Sequence, residues 1–211
     1  MKKTSLLVTA LLFFFLFSSA ALSVDEFHYA YGQWEMQGNR LVQKDLLAGM
    51  ARVDIPFPQE GTVVYDFNVR YEDGGTEDLH AGFGIHLFVN NPAPGKAWGN
   101  DKSYLLWLNY DTDPSGITNG LSAQVYKSLS HHEMELVADY DLNRFASLLT
   151  NTNKDATIPV KLEVNSNTGD VKIADPMRDG WVYKFNLGNA KPLNGKFISL
   201  RTNSGSFSFG Y

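Results

Sequence analysis

Beyond about residue 30, apolar and polar residues alternate along most of the chain. Four segments show the alternation most clearly: residues 63–71 (VVYDFNVRY), 81–90 (AGFGIHLFVN), 102–110 (KSYLLWLNY) and 121–128 (LSAQVYKS). A period of two marks a strand that buries one face and leaves the other free. One side carries Tyr65, Phe67, Val69, Phe83, Ile85, Leu87, Leu106, Leu108, Ala123 and Val125. The other carries Asp66, Asn68, Arg70, His86, Trp107, Asn109, Gln124 and Tyr126. With the four strands read as one sheet, this second set forms a single face. It is rich in rings and amides and poor in Lys and Glu, unlike an ordinary solvated surface.

The same pattern predicts early strands at 31–36, 40–44 and 50–55, the first two joined by the turn-prone Gln37-Gly38-Asn39. Residues 133–139 (EMELVAD) alternate again. Residues 141–149 (DLNRFASLL) form the one expected helix, with Asp141 or Asp139 as cap and an apolar face of Leu142, Phe145, Leu148 and Leu149. A hairpin is expected from 159–164 to 170–174, across an Asn- and Gly-bearing turn at 165–169. Strands at 181–187, 196–202 and 206–209 complete the set. Many short strands with turns every 8–12 residues indicate an all-β, antiparallel two-sheet sandwich or barrel. No repeat or low-complexity linker divides it, and the longest loop, residues 91–101 (NPAPGKAWGND), lies within one domain.

Outward positions of the later strands are Lys161, Glu163, Lys172, Lys184 and Asn186, a plain solvated surface. If one sheet is convex and the other concave, these suit the convex side and the ring- and amide-bearing face the concave side. Ser199, Arg201 and Asn203 can add a fifth strand to the concave face.

The N-terminus changes the picture of where the domain works. Met1-Lys2-Lys3 precedes an apolar run from Leu6 to Phe17 and then small residues, with Ala21 and Ser23 suited to the −3 and −1 positions of a cleavage site. This is the layout of a bacterial-style secretory signal peptide. Residues 1–23 are therefore expected to be removed before Val24, leaving residues 24–211 as a single exported domain, periplasmic or extracellular. The run is short of the roughly 20 apolar residues that span a bilayer, and no second one follows. The formal charge of the whole chain is −5, and loss of Lys2 and Lys3 makes it more negative. An acidic chain without basic runs argues against nucleic acid or an anionic membrane as partner. Zero cysteines exclude disulfides, thiol catalysis and thiolate metal sites.

Two stretches carry a resemblance. The opening Gln33-Trp34-Glu35-Met36-Gln37-Gly38-Asn39-Arg40-Leu41-Val42-Gln43 resembles the W-x-v-x-x-G-x-L-x-Q start of concanavalin A-like jelly rolls. The closing Gly195-Lys196-Phe197-Ile198-Ser199-Leu200-Arg201-Thr202-Asn203 resembles their G-x-y-i-x-L-r exit strand. That superfamily holds laminin-G-like domains, legume-type lectins and family 16 glucanases. The E-x-D-x-x-E catalytic strand of the glucanases is absent, and no strand aligns with the metal-ligand strand of legume lectins. The resemblance thus implies a jelly-roll sandwich and a glycan-facing concave sheet, not hydrolysis or lectin-type metal binding.

Candidate sites follow from side-chain chemistry. Saccharides are held by aromatic platforms beneath their C–H faces and by planar polar groups on their hydroxyls. Trp107 and Tyr126 suit the first role; Asp66, Asn68, Arg70, His86, Asn109 and Gln124 suit the second, with Arg201 beside them. Gly82 and Gly84 leave a low floor where a ligand can approach. The competing reading is that a loop or helix covers this face and its groups satisfy one another. Trp98, on the long loop, either lids a cleft or staples the loop to the sandwich. Asp111, Asp113 and Ser115 match the first half of a calcium loop, but the twelfth position is Ser122 rather than an acid. No cofactor is expected. His131, Glu133 and Glu135 share one strand face, too few ligands for zinc. Asp78 and His80 sit at a rim.

The reading these residues support is a non-catalytic, exported β-sandwich that binds a glycan or cell-envelope component. Two alternatives stand beside it. One is a glycoside hydrolase or lyase using Asp66, Glu133 or Glu135, since residues i and i+2 of a strand lie roughly 6.6 Å apart, within the inverting range of about 6.5–9.5 Å. The other is a structural surface protein built for assembly.

Overall fold

The structure, a computed structural model, describes residues 26–74, 80–149 and 156–210, without the side chains of 147–149. The expected signal peptide and Asp78 lie outside these residues. Among the described residues fourteen strands are present: β1 (His28–Tyr31), β2 (Trp34–Gln37), β3 (Arg40–Gln43), β4 (Ala51–Gln59), β5 (Thr62–Gly74), β6 (His80–Val89), β7 (Ser103–Asp111), β8 (Gly120–Ser128), β9 (Met134–Asp141), β10 (Thr157–Asn165), β11 (Asp170–Ala174), β12 (Val182–Asn186), β13 (Gly195–Asn203) and β14 (Gly205–Gly210). They form two antiparallel seven-stranded sheets. Sheet I runs β1-β4-β13-β6-β7-β8-β9, and sheet II runs β12-β11-β10-β5-β14-β3-β2. Among the described residues no helix is long and apolar enough to cross a membrane.

The inner faces are the alternating apolar positions. Phe83, Ile85 and Leu87 of β6 and Val53 and Ile55 of β4 meet Tyr65, Val69 and Tyr71 of β5 and Phe207 and Phe209 of β14. The aromatic centre is closely knit, with ring centroids of Phe83 and Phe207 5.2 Å apart and those of Tyr71 and Phe207 5.8 Å apart. Such tilted and edge-on pairs add about 0.5–1.5 kcal/mol each beyond their buried area.

Three expectations need correction. The single strand expected over 31–36 is two strands in different sheets. Gly32 breaks it at φ +90°, a conformation closed to most side chains. A Cβ there would also collide with that of Ala51. The segment expected as an α-helix is a 3₁₀-helix, Asn143–Leu149, with Asp141 Oδ1 capping the N–H of Asn143 at 2.8 Å.

The third correction moves part of the expected site. β5 pairs with β10 and β14, not with β6. Its polar side therefore belongs to the outer face of sheet II. β13, by contrast, does lie beside β6 in sheet I.

One end of the sandwich is loosely filled. Between edge strands β9 and β12 the sheets leave a cavity of about 590 Å³, open at one end, with an almost wholly apolar wall.

Candidate functional site

The outer face of sheet I takes the polar positions of β4, β13, β6, β7, β8 and β9. The 91–101 loop lies across its middle, fastened by charged and amide groups of the strands below. Arg201 of β13 is buried and donates to the carbonyls of Ala97 at 3.0 Å and Trp98 at 2.5 Å. Arg52 of β4 donates to the carbonyl of Ala93 and, at 3.0 Å, to Asp54. Asn100, itself fully buried, takes the N–H of Ala93 at 2.8 Å and donates to Ser199 at 2.8 Å. Ser199 in turn donates to Asp54 at 2.6 Å. At the ends of the loop, Asp101 accepts the N–H groups of Asn90 and Asn91 at 3.1 and 2.9 Å.

His86 lies beneath this network, fully buried. Its Nε2 is 3.3 Å from Arg201 Nη1, a donor, and its Nδ1 is 3.2 Å from Ser103 Oγ. That arrangement fits a neutral ring protonated on Nδ1. Burial, then the guanidinium charges of Arg201 and Arg52, hold its pKa well below 6.5. Arg201 is pushed down to about 9, first by burial and then by Arg52, and stays protonated at neutral pH. A buried group of two guanidiniums, one carboxylate and one neutral imidazole is held together by the loop carbonyls. These residues build the face; they are closed to a ligand.

Trp98, on the same loop, is 42% exposed. The Arg201 guanidinium lies 5.6 Å from its centroid, and the Tyr126 ring meets it edge-on at 6.1 Å. The loop backbone is stapled down while the indole stays partly exposed. From Trp98 a strip runs over β8, β7 and β9 in which Tyr126, Asn109 and Asp139 are half-buried and Gln124 and Trp107 are buried. Tyr126 donates to Gln124 at 2.9 Å; Trp107 donates to Asn109 at 3.0 Å. Cross-strand register sets Gln124 between Trp107 and Asp139, and Tyr126 opposite Leu136.

Asp139 accepts the Thr118 N–H at 2.6 Å. Burial works to raise its pKa, but the Thr118 backbone and the Thr118, Ser122 and Gln124 side chains outweigh it and hold the carboxylate below 3.8. Burial and then the Asp139 charge raise the Tyr126 phenol. Oδ1 of Asp139, Oγ of Ser122, Nε2 of Gln124 and Nδ2 of Asn109 close no hydrogen bond of good geometry. Ser122 and Gln124 lie near enough to bias the Asp139 proton without forming a proper bond to it.

Gly82 and Gly84 do not form an open floor. The Trp107 ring lies on them, and a Cβ on either would strike ring carbons. Trp107 is consequently only 9% exposed.

Asp66, Asn68 and Arg70 lie on the other side of the molecule. Asp66 faces Lys161 at 3.5 Å, Asn68 accepts from Arg40, and Arg70 pairs with Glu72 at 2.7 Å. They form an ion-paired outer surface with Lys172 and Glu163, 2.6 Å apart. Asp111 accepts the Asp113 N–H at 3.0 Å in a turn, and His131 Nε2 meets the Asn91 carbonyl at 2.9 Å, tying the β8–β9 turn to the loop. Among the described residues no group of three or more His, Asp or Glu is placed to hold a metal.

Sequence reasoning passed over Arg52, Asp54, Asn100 and Asp139. The first two were legible in principle: Arg52 and Asp54 alternate with Ala51, Val53 and Ile55, so a strand with an apolar inner side had two charges on its outer one. Asn100 had no such signal, because a loop residue has no period to betray its direction.

No protein-family model and no curated sequence matches the chain. Solved structures do. The carbohydrate binding module CBM66 from Bacillus subtilis superposes with a TM-score of 0.57 at 14% identity, covering 88% of this chain and 92% of that one. The fold is the concanavalin A-like jelly roll. The metal-free carbohydrate recognition domain of Emp46p superposes at 0.54 with 10% identity, over 88% of this chain and 85% of the other. A legume lectin-like domain from Entamoeba histolytica follows at 0.52 and 12%, over 88% and 86%. At these identities the likeness is one of fold, which the opening and closing motifs of the jelly roll also indicated.

Proposed function

We propose that the chain is an exported, non-catalytic carbohydrate-binding domain whose ligand lies on the outer face of sheet I, from Trp98 across Tyr126 to Gln124, Asn109 and Asp139. The observation that carries this reading is the presentation of Trp98. The indole is 42% exposed on a loop whose backbone is pinned by two buried arginines and Asn100, so a ligand would meet a pre-positioned ring with little ordering still to be done. A rigid indole is a platform for the C–H face of a sugar ring. Beside it, the half-buried Asn109 amide and Asp139 carboxylate supply the planar polar groups that bond hydroxyls, with the buried Gln124 lying beneath them. Fold likeness to carbohydrate-binding domains supports the same reading. Export follows from the N-terminal pattern, and mass spectrometry of the exported form is expected to show Val24 as the first residue.

The binding test is retention on a panel of immobilised polysaccharides. Trp98→Ala is expected to weaken binding of the retained polysaccharide about ten-fold or more, the scale of an aromatic hot spot. Its circular dichroism should match that of the unmodified protein, since the ring caps no core. Unaltered affinity in Trp98→Ala, or failure of every polysaccharide to bind the unmodified protein, would overturn the reading.

A further inference from the structure

The cavity between β9 and β12 lies on the core side of the strands whose outer side carries the proposed glycan strip, and it rests on separate observations. Its walls are Phe83, Ile85 and Leu108 from sheet I and Phe67, Val160 and Phe185 from sheet II. These are ordinary inward positions by alternation, yet Phe67, Leu108, Val160 and Phe185 remain only partly buried because the opposing sheet does not close on them. A volume of about 590 Å³ falls in the range of pockets for small ligands, about 300–1,000 Å³. With so little polar wall, neither a sugar nor a nucleotide could satisfy its hydrogen bonds inside.

The open end has a different chemistry. Arg144, on the 3₁₀-helix and half-exposed, lines the cavity and donates to Tyr183 Oη of β12. Tyr183 donates to Asp175 at 2.7 Å, and Asp175 is 3.9 Å from the Arg144 guanidinium. Arg178 also acts on Asp175. One carboxylate is thus shared by two guanidiniums, while the Asp141 carboxylate and the Lys184 ammonium also line the cavity, so the cations there outnumber the carboxylates by one. The turn that carries Asp175 and Arg178 exposes Met177 (58%) and Trp181 (61%), a greasy rim beside the opening.

We propose that this cavity binds a single long aliphatic chain with an acidic head group, the chain lying between Phe83 and Phe185 and the head group at Arg144. The ring-lined space supplies contact along a methylene chain, which needs no polar partner. Arg144 can turn from Tyr183 to a carboxylate without leaving the mouth, since its link to Asp175 is long.

Displacement of the apolar dye anilinonaphthalene sulfonate from the protein, by palmitate and separately by hexadecanol, tests this. Both should displace the dye. Ala123→Leu and Val160→Phe each narrow the cavity from one sheet and should weaken both ligands about ten-fold or more. Using two variants in different sheets keeps the result meaningful if one fails to fold. Arg144→Gln, at an exposed position, should weaken palmitate about three- to five-fold and leave hexadecanol unchanged. Failure of both ligands to displace the dye, or full binding by a folded cavity-filling variant, overturns the site. Equal effects of Arg144→Gln on acid and alcohol overturn the head-group assignment. Polysaccharide retention by Val160→Phe is expected to stay intact, so loss of lipid binding and loss of glycan binding can be told apart.

Discussion

Gly99 stands where the loop meets the β8–β9 turn, and its missing side chain decides whether Trp98 can be held. Its N–H donates to the His131 carbonyl at 3.0 Å, and a Cβ at this position would run into the Ser130 carbonyl and the Ser128 hydroxyl. Backbone cannot yield as a flexible side chain can. Gly99→Ala is therefore expected to lift this stretch of loop and destabilise the fold by about 1–3 kcal/mol, the usual cost of overpacking. Urea unfolding measures the loss, and a shift in indole fluorescence would report Trp98 leaving Arg201 and Tyr126. An unchanged midpoint would mean that the loop floats free of the turn. The sequence marked Trp98-Gly99 as a loop tip but could not show this contact, because the partner carbonyl lies some thirty residues on. At the level of single residues, side-chain chemistry was legible and neighbours were not.

At the level of elements, the period of two was legible because it is a local consequence of the pleat. Sheet membership was not. Tyr65, Phe67 and Val69 face the core whether β5 lies beside β6 or across from it, so the pattern is identical for both arrangements. What decides is pairing with β10 and β14, roughly 90 to 140 residues away in sequence. This is why seven of the ten expected ligand residues converge on sheet I while Asp66, Asn68 and Arg70 end on sheet II. The difference can be measured. Combined Asp66→Ala, Asn68→Ala and Arg70→Ala substitution is expected to leave polysaccharide affinity within about two-fold of the unmodified protein, because exposed ion pairs contribute little and lie behind the other sheet. A ten-fold loss would relocate the ligand to the outer face of sheet II. The helix shows the same limit from another side. Leu142 and Phe145 carry a helical spacing, but a seven-residue segment between two strands settles as a tighter 3₁₀ turn.

For the molecule as a whole, the buried cluster beneath the loop sets the response to acid. His86 is neutral when folded and its pKa lies well below 6.5, with burial the largest cause and Arg201 and Arg52 next. An unfolded chain takes up a proton on this ring near pH 6.5, and the folded chain refuses it until far lower pH. Between those limits the unfolded state binds more protons, so stability must fall as pH drops below 6.5, by up to about 1.4 kcal/mol per pH unit. Asp101 and Asp139, both held below 3.8, act with the same sign but only in more acidic solution. Among the groups with displaced pKa values, His86 is the one that acts in the mildly acidic interval just below pH 6.5. Urea unfolding across that interval should show a falling midpoint for the unmodified protein. His86→Gln, which can still accept from Arg201 through its amide oxygen, should start less stable at pH 7 and then stay nearly level. Parallel slopes would place the acid response elsewhere. The same titration also reports how the loop and the sandwich are joined. Ala93, Ala97 and Trp98 are tied to β4 and β13 through Arg52, Asn100 and Arg201. Protonation of His86 therefore cannot be relieved by lifting the loop alone without stripping two buried guanidiniums of their acceptors. Indole fluorescence and far-ultraviolet circular dichroism should consequently lose their folded signals together at every pH, and separation of the two would show the loop opening as a unit of its own.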